Sequence, residues 1–269
     1  MSVISLLGPA FLMCILLAGI HCYLGLHVLA RKIIFVDLAL AQSAAFGLAL
    51  SLLIGLKAGS LQSYLITLSS ALFASVLFTL IAEKKKHLSQ EAFIGIVYAF
   101  FSVLVILLFD KSAHGAEHIK QTLTGYLIWI SWFEVFKVFC IYSVIACFYY
   151  FFQKKFWESS TGKENHWKWN LLFYVLFSFV ISSSVSIVGV LLVFSFLIVP
   201  SFLSQFLFQT FYLRFLFGWF LAVILSLLAL ISSYIFNLPT SSFIVFTFTF
   251  LPIILLLGSH ITNRIKKIV

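Results

Sequence analysis

The chain has 269 residues, of which 63% are apolar, 9% are charged and 33 are phenylalanine, with a formal net charge of +9. A soluble domain carries about a quarter charged residues, so this composition excludes a water-soluble enzyme and predicts an all-α polytopic bundle whose solvent is lipid. The Lys and Arg residues are scattered as punctuation between apolar runs, which excludes a nucleic-acid-binding face and leaves their placement to be read as membrane topology.

A helix needs ~20 apolar residues to cross a hydrocarbon layer of ~30 Å. Cutting the chain at its charges predicts spans near 5–30, 34–56, 61–82, 92–109, 132–153, 169–186, 188–208, 215–236 and 240–258. Arg31 is the first charged side chain, so residues 5–30 lack the basic start of a secretory signal peptide and read as a retained span. The uncharged run 169–213 would make ~68 Å of helix at ~1.5 Å per residue, enough for two crossings. SSSVSIVG (182–189) is the expected turn. Residues 123–131 and the 182–189 turn leave eight spans as the alternative to nine, and residues 1–269 form a single transmembrane domain either way.

Orientation follows from the basic residues. With the N-terminus outside, Arg31, Lys32, Lys84, Lys85, Lys86, Lys154, Lys155, Lys163, Lys168, Arg214, Arg264, Lys266 and Lys267 lie on the cytoplasmic side. Only Lys57, Lys111 and Lys120 lie outside, and Lys137 sits in or near a span. This bias places the C-terminus in the cytoplasm.

Few residues can carry chemistry. No G-x-x-x-x-G-K-[ST] occurs, so any ATP must be bound by another polypeptide. The outer segment DKSAHGAEHIK (110–120) contains His114, Glu117 and His118 as H-x-x-E-H. That is the spacing of one class of zinc peptidases, in which two histidines hold the metal and the glutamate works on a water. The segment has no third ligand or substrate cleft nearby, and the competing readings are a solvated loop and a metal-handling loop. Asp37 opens the second span, and an acid at that depth is costly unless it pairs or faces water. The simpler reading balances it with Arg31 or Lys32. Gln42 adds a polar side chain five residues on, among the small residues Ala39, Ala41, Ser43, Ala44, Ala45 and Gly47, which allow close helix approach. His21 and His27 are six residues apart, ~600° of helical rotation, and therefore on different faces. Glu134 and Lys137 read as a local ion pair. Cys14, Cys22, Cys140 and Cys147 all fall in apolar runs and read as buried thiols.

Three stretches together resemble a known family. GLHVLARKIIFVDLALAQSAAFGLAL (25–50), EAFIGIVYAFFSVLVILL (91–108) and IVGVLLVFSFLIVPSFLSQ (187–205) are similar to the permease subunit of bacterial metal ABC transporters. The resemblance spans about Gly19 to Leu257, and Gly189, Leu191, Leu192 and Pro200 carry its most specific spacing. It implies a permease that imports zinc, manganese or iron. Such a permease works as a pair, here expected to be a homodimer, with ATPase subunits on the cytoplasmic face and an extracytoplasmic binding protein. The chain itself would bind no cofactor, with ATP on the partner subunit and a divalent metal as cargo. The resemblance makes Asp37, with Gln42, the expected pathway residue and His114, Glu117 and His118 an outer contact surface. It also implies an ATPase-coupling helix after Pro200, in residues 201–213, involving Ser201, Ser204 and Gln205. Many members carry a histidine four residues after the aspartate; here that position is Ala41, which opens a non-metal or chelated cargo as an alternative.

Overall fold

The computed structural model describes residues 3–57, 59–83, 89–110, 115–162 and 167–265. Among them the backbone is helical, with no strand. The helices are α1 (Val3–Arg31), α2 (Val36–Leu53), α3 (Leu61–Glu83), α4 (Gln90–Asp110), α5 (Gly115–Thr124), α6 (Trp132–Phe151), α7 (Gln153–Ser160), α8 (Trp167–Val188), α9 (Val190–Leu207), α10 (Phe211–Ile235) and α11 (Thr240–Ile265), with a 3-10 turn at Leu127–Trp129. Eight of them, namely α1 to α4, α6 and α8 to α10, are long and apolar enough to cross a membrane, and α11 adds a shorter apolar stretch, Thr240–Leu255. A helix therefore stands at each of the nine predicted places.

Helix α1 is the axis of the bundle. Its neighbours are held by close backbone approach rather than by charge. Gly25 lies so near α9 that a Cβ there would run into the Leu197 carbonyl, and Ser201 Oγ donates to the Cys22 carbonyl at 3.0 Å. Trp219 on α10 donates to the Ile15 carbonyl at 3.2 Å, beside Gly19. The small residues of α2 serve the same purpose against α3. A Cβ on Gly47 would sit 2.8 Å from the Ile66 carbonyl, and Ser43 Oγ donates to the Ser70 carbonyl at 2.7 Å. In lipid such contacts replace the hydrophobic drive to associate, each hydrogen bond contributing on average about 0.6 kcal/mol.

The turn between α8 and α9 is a single residue. Gly189 has φ 81° and ψ 162°, and α8 continues as helix through residues 182–188 of the expected 182–189 turn. The serines there stay helical because their hydroxyls bond back into the preceding turn, as Ser183 does to the Phe179 carbonyl at 2.9 Å. The chain nonetheless reverses: Asn170 on α8 meets Arg31 and Ser184 meets His21, so α8 runs against α1. Helix α9 starts beside Leu123 and Gly125 and leads into α10, whose first residue Phe211 meets His27, so α9 runs with α1.

Two ends of the bundle are thereby defined. One gathers the α1–α2 turn, the start of α4, α7 and the start of α8. The other gathers α5, the 3-10 turn and Gly189, where Tyr126 N–H donates to the Ile187 carbonyl at 2.9 Å. Burial, and secondarily the Glu134 carboxylate, push the Tyr126 phenol at that end above its ordinary pKa.

Candidate functional site

Lys32, at φ 58°, ends α1, and the chain re-enters helix at Val36 after a short turn. Asp37 falls in the first turn of α2 with 1% of its surface exposed, and neither carboxylate oxygen has a hydrogen-bond partner. The backbone N–H groups of Asp37 and Leu38 are close enough to favour the charge, as helix N-termini do, without forming hydrogen bonds to it. Ser89 caps α4 by accepting from Ala92 N–H at 3.3 Å, which sets Glu91 in the first turn facing α2. Glu91 Oε1 accepts from Phe35 N–H at 3.2 Å, Oε2 is buried without a partner, and the carboxylate acts electrostatically on Asp37.

The expected counter-ions of Asp37 do not meet it. Arg31 turns the other way: its Nε donates to Ser160 Oγ at 3.0 Å, its Nη1 to Asn170 Oδ1 at 2.7 Å and its Nη2 to Ser159 Oγ at 3.3 Å. Its guanidinium stacks 4.2 Å above the Phe173 ring. The reason is geometric, since Arg31 still belongs to α1 and its place on that helix faces α7 and α8 rather than the start of α2. Asp37 instead faces a second acid. Glu91 is the residue that the composition-level reading missed; an isolated acid directly before an apolar run of span length is the signal that finds it.

The other expected pathway residues are dispersed. Gln42 is buried, but five residues turn it about 140° around α2 from Asp37. Ala41 shares Asp37's face and is 1% exposed, so the position where many relatives carry a histidine is packed with a methyl group. His114 lies outside the described residues, as does the side chain of His118. Glu117 is exposed in the first turn of α5, at the opposite end of the bundle from Asp37. Among the described residues no three His, Cys, Asp or Glu side chains group around a common point.

Other expectations change in detail. Glu134 makes a capping box rather than an ion pair: Ser131 N–H donates to Glu134 Oε2 at 2.8 Å, and Glu134 N–H donates to Ser131 Oγ at 3.3 Å. S-x-x-E at a helix start carries that signal, and Lys137 lies over the Phe133 ring at 4.4 Å instead. Cys14 and Cys22 are buried, whereas Cys140 and Cys147 are exposed on α6. His21 and His27 do point apart, His21 to Ser184 and His27 to Ser160.

Pro200 does not open a separate helix. It lies inside α9, which runs to Leu207, and Phe208 is extended before α10 begins at Phe211. Proline already holds a helical φ and removes one backbone donor, a loss that membrane helices tolerate. No capping residue ends the helix before Phe208, whose carbonyl accepts from Arg214 Nε at 2.7 Å. Ser201 and Ser204 are buried and Gln205 is half-buried. A short helix that does stand apart at this end is α7, between the predicted spans 132–153 and 169–186.

The model of the ABC 3 transport family matches residues 3–259. No curated protein matches the chain. Among solved structures, PsaBC from Streptococcus pneumoniae in complex with Fab superimposes with TM-score 0.74 at 19% identity, over 91% of this chain and 88% of that one. A structure described as an inward-facing conformation of a metal-chelate type ABC transporter superimposes with TM-score 0.71 at 17% identity, over 95% of this chain and 88% of that one. At these identities the likeness is one of fold. The family is a transport family, which removes the peptidase reading of His114, Glu117 and His118 and places ATP hydrolysis on a separate subunit. The chain, a multi-pass protein of the inner membrane, belongs to the ABC 3 transport family as a membrane-spanning permease subunit.

Proposed function

We propose that this permease subunit imports a divalent metal cation, zinc, manganese or iron, as one half of a homodimer. ATPase subunits dock on the cytoplasmic face at the C-terminal end of α9, where Gln205 is half-buried and Pro200, Ser201 and Ser204 lie buried behind it, and an extracytoplasmic binding protein delivers the ion at the α5 end, where His114, Glu117 and His118 form its contact surface. ATP is held by the partner subunits, and the metal is substrate rather than resident cofactor. In this reading the N-terminus is outside.

One observation carries the proposal: Asp37 is buried with both carboxylate oxygens unpaired, and its charged neighbour is another carboxylate, the half-buried Glu91. Negative charge on both at once is unfavourable there, and a passing dication relieves that cost. Two oxygen ligand groups without imidazole hold a transition metal only moderately. A pathway needs that, because the ion must also leave.

Ala41 favours a second reading, a chelated metal whose own ligands replace the absent histidine. ATP turnover of the reconstituted transporter with its binding protein separates the two. Stimulation by free zinc, manganese or iron supports the first; stimulation by chelates alone supports the second. Turnover indifferent to both removes the metal assignment.

A further inference from the structure

A cavity of about 170 Å³ opens at the same end of the bundle as Asp37, on the far side of the α1–α2 turn. Its floor is Arg31 with Ser160, Asn170 and Tyr174, and its mouth is formed by exposed residues including Lys32 and Gly162. Two cations line it and no carboxylate of a described residue does. The three side-chain oxygens that accept from Arg31 are all neutral, so they engage three of its five N–H donors without cancelling its charge. Stacking on Phe173 stabilises a guanidinium but does not neutralise it.

The surrounding helix ends do not supply the missing charge. The carbonyl ends of α1 and α7 meet this region and favour a cation, while the amide ends of α4 and α8 meet it too and favour an anion. The hydrogen-bonding side chains tip the balance. Gln90 Nε2 donates to Tyr174 Oη at 2.6 Å, which leaves the Tyr174 hydroxyl hydrogen free to donate elsewhere. Arg31, Lys32 and Tyr174 therefore present N–H and O–H groups around one small space. A half-buried guanidinium beside an ammonium, with neutral oxygens already on its other edge, is the arrangement that recognises a tetrahedral oxyanion.

We propose that this cavity binds a phosphate-type oxyanion, either free phosphate or the phosphodiester of an anionic lipid headgroup. The site is independent of the cargo assignment, since it uses neither Asp37 nor Glu91. Its occupant bridges α1, α4, α7 and α8. Because Gln90 precedes Glu91, a bound anion also steadies the first turn of α4, on which the Asp37–Glu91 pair depends.

The test uses the full chain in nanodiscs. Thermal unfolding is followed in phosphatidylcholine discs with inorganic phosphate against chloride at equal ionic strength, and in phosphatidylglycerol discs against phosphatidylcholine discs without phosphate. A raised midpoint with phosphate identifies the free anion, and one raised only by phosphatidylglycerol identifies the headgroup. Lys32→Asn is the deciding variant, because Lys32 is exposed and asparagine tolerates its left-handed backbone. Removing that one charge should weaken the apparent affinity roughly tenfold, and Arg31→Gln, where it folds, should abolish the response. No shift in either arm, or an equal shift in Lys32→Asn, overturns the site.

Discussion

Asp37 and Glu91 set up the sharpest consequence at the scale of single side chains. Asp37 is buried and neither of its oxygens accepts a hydrogen bond, so its carboxyl serves no structural partner. Asp37→Asn keeps the shape and removes the charge. It should leave assembly with the ATPase subunits intact while cutting metal-stimulated ATP turnover by roughly tenfold or more. Glu91→Gln should have a smaller effect in the same direction, since its Oε1 is already engaged by Phe35 N–H. If either variant instead stabilises the complex and leaves stimulation unchanged, the pair is only a strained contact and not part of a pathway. Asp37 was legible from sequence because an acid at the start of an apolar span has few innocent explanations. Its relation to Arg31 was not legible: five intervening residues suggest proximity, and only the packing of the end of α1 against α7 and α8 turns Arg31 away.

At the scale of elements, the apolar runs and the charges bounding them fix where helices stand, because a backbone in lipid has no other way to satisfy its amides. What stops each helix is less legible. The serines before Gly189 look like a turn in a soluble protein, yet in lipid their hydroxyls fold back on the helix and Gly189 alone makes the reversal. Its φ of 81° is open to glycine, and a Cβ would lie 2.5 Å from the Leu123 carbonyl and 2.6 Å from Gly125 N. Gly189→Ala should therefore cost more than the ~1–3 kcal/mol of backbone strain alone, seen as a lowered unfolding midpoint in detergent. Ser131→Ala tests a milder device. Loss of the α6 cap should cost about 1 kcal/mol, with Ser131→Asn recovering most of it. Equal stability of Ser131→Ala and wild type would mean that the 3-10 turn, rather than the capping box, starts α6.

For the molecule as a whole, the deciding question is which end faces the cell exterior. The two ends differ in chemistry: one collects Arg31, Lys32, the Asp37–Glu91 pair and the oxyanion cavity, the other α5 with Glu117 and the Tyr126–Ile187 contact. Placing Arg31 and Lys32 inside follows the positive-inside bias, and only this orientation puts α5 where a delivered ion arrives. The exposed thiols of Cys140 and Cys147 lie on the membrane-spanning α6 and are poor reporters. Single cysteines at Lys57 and Lys154, in a background lacking all four native thiols, are better placed. Lys57 lies in the turn between α2 and α3, and exposed Lys154 at the start of α7. In intact cells a membrane-impermeant maleimide should label position 57 and spare position 154, with both labelled after permeabilisation. The reverse pattern would put α5 in the cytoplasm. Delivery by an extracytoplasmic protein at that end would then fail, while family membership, the Asp37–Glu91 geometry and the oxyanion site would stand.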